Sequence, residues 1–135
     1  MPAIWQAPDE LAYLAVSTDR VGVYSRTAHE WVEVSFSGDV LGRWKGVELP
    51  GHFDVIGVAL LSDQSLYVSA QFASDPTKGN IDTVRIFSLD KQTGIWKPFG
   101  STNELETKQA TMIYGADGDK FLVKSGRSSF TWIQP

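Results

Sequence analysis

The stretch Val55-Ile-Gly-Val-Ala-Leu-Leu-Ser-Asp63-Gln-Ser-Leu-Tyr-Val68 decides the reading of the fold. An apolar run of strand length meets a tight turn at Ser62-Asp-Gln64, and a second apolar run follows. Asp and Ser favour such turns because their short side chains bond nearby backbone amides. The same half-motif stands upstream as Leu11-Ala-Tyr-Leu-Ala-Val-Ser-Thr-Asp19-Arg-Val-Gly-Val-Tyr24. It stands downstream as Ala110-Thr-Met-Ile-Tyr-Gly-Ala-Asp117-Gly-Asp-Lys-Phe-Leu-Val123. The turn aspartates Asp19, Asp63 and Asp117 are 44 and then 54 residues apart, and the longer interval holds an extra segment, Phe72 to Asp82.

A second half-motif ends in a glycine and a tryptophan. It reads Trp31-Val-Glu-Val-Ser-Phe-Ser-Gly-Asp-Val-Leu-Gly42-Arg-Trp44, then Val84-Arg-Ile-Phe-Ser-Leu-Asp-Lys-Gln-Thr-Gly94-Ile-Trp96. Val32, Val34 and Phe36 alternate with Glu33, Ser35 and Ser37, the pattern of a half-buried strand. The run from Val84 to Leu89 is apolar on both faces and predicts a fully buried strand. Segment Thr102 to Thr111 has no apolar stripe and reads as a loop. The expectation is an all-β chain of three repeated units of about four short strands each.

Composition bounds the rest. The 135 residues suit one domain, and the 42% apolar content supports a real core. A net charge of −4 argues against nucleic-acid binding, which draws on a basic face. The longest apolar run, Val55 to Leu61, is too short for a spanning helix, so no membrane partner is expected. With no cysteine and only two histidines, neither thiolate chemistry nor a transition-metal site within one chain is expected. No cofactor, catalytic residue or metal ligand stands out, and the compartment is open.

The repeats resemble β-propeller blades over nearly the whole chain. Gly51-His-Phe-Asp54 through Val84-Arg-Ile-Phe87 is similar to a WD repeat, with Gly51-His52 at its Gly-His pair. The final Trp-Asp is replaced by Phe87-Ser88, and the other units lack Gly-His. Trp31 to Val68 resembles NHL-type blades. Ser37-Gly-Asp39 to Trp44 resembles a sialidase Asp-box, one residue too long before its glycine. The resemblance implies three propeller-like blades in one domain over residues 1–135, with units at roughly 9–50, 51–101 and 102–135. The third unit lacks an outermost strand, and Ala3 to Ala7, with Trp5, is a spare one. Propellers use about four to eight blades, so three blades imply a homodimer forming a six-bladed ring, each N-terminal strand completing the partner's third blade. Half of a longer propeller and an independent β-sandwich are the alternatives.

In blades of this kind the long connections share one end and the tight turns the other. Binding groups concentrate in long loops on rigid scaffolds. The candidate ligand-binding residues are therefore His52 and Asp54, with Asp75, Lys78 and Asn80 in the inserted segment. The ligand class is protein or small molecule. The leading expectation is a non-catalytic binding or scaffold module. One alternative is a hydrolase or lactonase using acidic residues and a divalent cation. The other is a lectin stacking sugars on Trp5, Trp44 or Trp96. For the tryptophans, packing between sheets is the simpler role.

Overall fold

The computed structural model describes residues 12–73, 75, 77, 83–99, 112–125 and 129–135. These residues form eleven strands and no helix. Sheet 1 contains β1 (Ala12–Val16), β2 (Arg20–Ser25), β3 (Glu30–Ser35) and β4 (Val40–Lys45). Sheet 2 contains β5 (Phe53–Leu60), β6 (Leu66–Phe72), β7 (Thr83–Asp90) and β8 (Ile95–Pro98). Sheet 3 contains β9 (Met112–Asp117), β10 (Lys120–Ser125) and β11 (Ser129–Ile133). Every strand pairs antiparallel with its sequence neighbour, so the chain is all-β, as expected. The expected strand at 3–7 and the loop at 102–111 lie outside the described residues.

Local chemistry sets the tight turns. Asp63 Oδ1 accepts the Ser65 amide at 2.9 Å, and Asp90 Oδ1 accepts the Gln92 amide at 3.0 Å. Gly38, Gly94 and Gly118 adopt φ of 98°, 75° and 65° in three of these turns, a region that suits glycine. The turns carrying the repeated aspartates are tied side by side. Ser17 Oγ donates to the Leu61 carbonyl, Gln64 Nε2 to Asp19 Oδ1, and the Ser62 amide to the Gly118 carbonyl.

Sheet 2 is packed on both faces. On one side Val55, Val58, Leu60, Val68, Phe87 and Leu89 meet Tyr24, Trp31 and Val47. On the other, Ala59, Leu61, Tyr67 and Ile86 meet Ile113, Phe121 and Val123 of sheet 3. Strand β7 is thus buried on both faces, as its sequence predicts. Trp44 and Trp96 sit on the outermost strands β4 and β8 and bond across the seam. The Trp44 indole donates to the Lys91 carbonyl at 3.0 Å, and the Trp96 indole to the Lys45 carbonyl at 2.9 Å.

Strand β3 corrects the half-buried reading. Trp31, Val32 and Glu33 are all buried, and the Glu33 side chain is 0% exposed. An unpaired carboxylate in such a place is costly, and a bonded one is tolerated. Glu33 Oε1 takes Arg20 Nη1 at 3.0 Å, and Oε2 takes the Trp31 indole N–H at 2.7 Å with Lys91 Nζ beside it. The alternation is real, and both faces are covered along its first half. Phe36 falls beyond the strand, in the β3–β4 turn, and is exposed.

Glycines permit close approaches, Gly22 and Gly57 among them. A Cβ at Gly22 would lie 2.0 Å from the Trp31 ring, and one at Gly57 would lie 2.5 Å from the Ile113 carbonyl oxygen. Gly57 therefore lets β9 come against β5, where Ser69 Oγ accepts the Ile113 amide at 3.2 Å.

Candidate functional site

The β2–β3 turn and the start of β5 meet at the end of the molecule that carries the long connections. Asp54, on β5, receives a two-pronged bond from Arg26: Nε to Oδ1 at 2.9 Å and Nη2 to Oδ2 at 2.6 Å. Such fork geometry fixes both side chains. The Arg26 guanidinium also lies 5.8 Å from the Tyr13 ring centre. His29 adopts φ of 52°, and its ring lies 6.2 Å from that of Phe53. Tyr24, Arg26, His29, Phe53, Asp54 and Val55 line a recess of about 20 Å³ here. That is about the room for one water. Burial pushes the Tyr24 hydroxyl up to about 12 while its oxygen accepts the Val47 amide at 3.0 Å.

The sequence-derived candidates separate at this point. Asp54 is in the recess. His52 is exposed nearby and does not line it. Asp75 accepts the amide and hydroxyl of Thr77 at 3.0 and 2.7 Å, a local turn within the inserted segment. Lys78 and Asn80 lie outside the described residues. Arg26 and His29 join Asp54 because their turn abuts β5, a neighbourhood that sequence spacing does not reveal.

A larger concave surface lies elsewhere. Among the described residues, strands β1, β5 and β9 each bond to a single neighbour, and their free edges converge. Two adjoining recesses run along them. One, of about 240 Å³, is lined by 14–16, 58–60 and 114–116, and the other, of about 300 Å³, includes Tyr13, Leu14, Val58 and Tyr114. A third, of about 180 Å³, continues toward the tight turns and adds Ser17, Thr18, Ser62 and Asp117. Together they form a groove with apolar walls and a polar end. Sequence reasoning did not single out these residues. Its signal was the repeat itself, because the groove is built from the first strand of each unit.

Electrostatics at the polar end are orderly. The Arg20 guanidinium bonded to Asp19 holds that carboxyl below the usual carboxylate range. The same contact, with Glu33, holds Arg20 firmly protonated. The Ser65 hydroxyl and amide lower Asp63. Among the described residues, no group of three or more His, Asp or Glu side chains is placed to hold a metal ion. Among the described residues, no helix is long and apolar enough to cross a membrane. No protein-family model matches the chain, and no curated protein matches it.

Proposed function

We propose that the chain is a non-catalytic binding module of propeller-like build whose groove receives an extended, largely apolar peptide segment. The observation that carries this is the convergence of three singly paired strand edges, β1, β5 and β9, beside Leu14, Val16, Val58, Leu60 and Tyr114. A free strand edge offers backbone donors and acceptors in a fixed row, and apolar walls take alternate side chains. The recesses of about 240 and 300 Å³ suit side chains of ordinary size. The long-loop end supports the scaffold part of the reading, with the Arg26–Asp54 pair holding the β2–β3 turn to β5.

The test is titration of the ¹⁵N-labelled chain with an N-acetylated, C-amidated hexapeptide of alternating valine and threonine. Shift changes are expected at residues 14–16, 58–60 and 114–116. Ala116→Arg, at an exposed groove position, is expected to abolish them while leaving the rest of the spectrum in place. No shift changes, or changes confined to the long-loop end around Asp54, would overturn the reading.

A further inference from the structure

The groove has two unlike ends, and its three strands run toward the same one. β1 ends at Val16, β5 at Leu60 and β9 at Asp117, and each is followed by a tight turn. Those turns are bonded side by side, so the three strands share one sense, with their C-terminal ends at the turns. A peptide laid along any of the three edges meets the same two alternatives. It runs antiparallel to all of them with its N-terminus at the tight turns, or parallel to all of them with its C-terminus there. Antiparallel ladders are slightly the more stable kind.

Hydrogen-bond accounting at the tight-turn end favours the first alternative. Ser17, Thr18, Ser62, Asp117 and Gly118 help to line the recess of about 180 Å³ there. Three of its donors are already spent. The Ser17 amide donates to the Arg20 carbonyl at 2.9 Å, the Ser17 hydroxyl to the Leu61 carbonyl at 3.1 Å, and the Ser62 amide to the Gly118 carbonyl at 2.8 Å. The hydroxyls of Thr18 and Ser62 accept as well as donate, and the Asp117 carboxylate only accepts. Among the described residues, no lysine or arginine lines this recess. The cations close by in sequence are engaged elsewhere. Arg20 is forked onto Asp19 and bonded to Glu33, and Lys120, in register with Asp117, lies over the Trp132 ring at 4.9 Å. The far end of the groove is walled by Tyr13, Ile56, Met112 and Ile113. The ion pair beside Tyr13, Arg26 with Asp54, is internally balanced. A peptide begins with an ammonium that only donates and ends with a carboxylate that only accepts. An end rich in acceptors and negatively charged suits the ammonium and repels the carboxylate.

We infer that the groove takes its peptide by a free amino terminus, seated at the tight-turn end against Asp117, with the peptide running antiparallel to β1, β5 and β9. This rests on the groove being a peptide site, and it adds which end enters where. At about 3.3 Å per residue, six residues reach from the level of Asp117 to that of Met112. The partner is then a protein that offers an unblocked, extended N-terminal segment, not an internal loop.

Two C-amidated hexapeptides of alternating valine and threonine, each starting with valine, test this. One has a free N-terminus and the other is acetylated. At about pH 6 the free amine is charged. In titrations of the ¹⁵N-labelled chain, the free-amine peptide is expected to bind at least about threefold more tightly than the acetylated one. Asp117→Asn is expected to remove that difference while binding of the acetylated peptide is kept. With ¹³C in the first valine only, filtered nuclear Overhauser cross-peaks are expected from its methyls to Thr18, Leu60 or Ala116. Cross-peaks to Ile56 or Met112 instead would reverse the orientation and overturn the inference with the peptide site intact. Equal affinity of the two peptides would overturn it as well. Failure of both peptides to bind would remove the peptide site itself, and this inference with it.

Discussion

The two seams of the stack are built on different principles. Between sheets 1 and 2 the contact is keyed: Lys91 of sheet 2 reaches Glu33, which Arg20 and the Trp31 indole hold from within sheet 1, and Trp44 and Trp96 each donate across the gap. Between sheets 2 and 3 the contact is plain. Tyr67, Phe99 and Phe121 cluster with ring centres 4.9 to 6.0 Å apart, and the bonds that cross it join the Ile113 amide to Ser69 and the Ser62 amide to the Gly118 carbonyl. An apolar seam is held by burial and tolerates sliding. A seam with directional bonds to a buried carboxylate allows one register, because misplacement strands a charge. The keyed seam therefore specifies how the sheets stack, and the plain seam adds burial.

The largest expected effect comes from removing the key. Glu33→Ala leaves Arg20 and Lys91 facing each other across a small void, and a loss of about 3 kcal/mol is expected in urea unfolding. Adding Lys91→Met to it should recover part of that loss, since the stranded cation is gone. In the plain seam, Phe121→Ala is expected to cost a similar amount, about 3 kcal/mol, through its cavity alone. No charge removal should recover it. Equal recovery in both seams would erase the distinction.

A smaller effect separates the glycines. Gly22→Ala would place a methyl 2.0 Å from Trp31 and should cost about 2 kcal/mol. Gly115→Ala in sheet 3 meets open space and should stay within about 0.5 kcal/mol of wild type. Thermal unfolding of the two variants side by side reads the contrast directly.

Tyr24→Phe comes next, at about 1 kcal/mol near neutral pH, because the Val47 amide loses its acceptor. Its alkaline behaviour sharpens the assignment. The folded-state value is pushed up from 10.0 to about 12, so the fold favours the neutral phenol. That stabilisation is complete below pH 10 and is lost as pH rises through 12. Stability of the wild type should therefore fall more steeply over this window than that of Tyr24→Phe. Tyr67 is also raised by burial and contributes a residual slope in both proteins. The smallest effect is that of Asp19→Asn. The carboxyl is held low by Arg20, so its contribution is present above the usual carboxylate range and fades as acid protonates it. The variant should show a slightly shallower acid limb.

Much of the fold was legible because strand periodicity and turn chemistry are local. The three Asp turns marked three β-hairpins, and the doubly apolar run at Val84 to Leu89 marked the middle sheet as buried on both sides. Trp44 and Trp96 end the two copies of the second half-motif, and both fall on the outermost strand of their sheet. Glu33 was misjudged because a carboxylate in a period-2 pattern reads as a solvent-facing residue. Its burial depends on Arg20 from β2 and Lys91 from the β7–β8 turn, partners 13 and 58 positions away. The site was less legible. Asp54 was found from a motif resemblance, yet its partner Arg26 and the neighbouring His29 arrive from the β2–β3 turn of another sheet. The groove arises from three strand edges meeting in space, which no single segment encodes.

The central claim is the stacking order, with sheet 2 between sheets 1 and 3 and the seams in the registers described. Nuclear Overhauser spectroscopy on the labelled chain tests it most directly. The account predicts cross-peaks between the Gly57 α protons and the Ile113 amide, and between the Trp44 indole proton and the Lys91 α proton. Loss of both, with cross-peaks instead joining Trp31 or Tyr24 to Phe121, would place sheet 1 against sheet 3 and contradict the account.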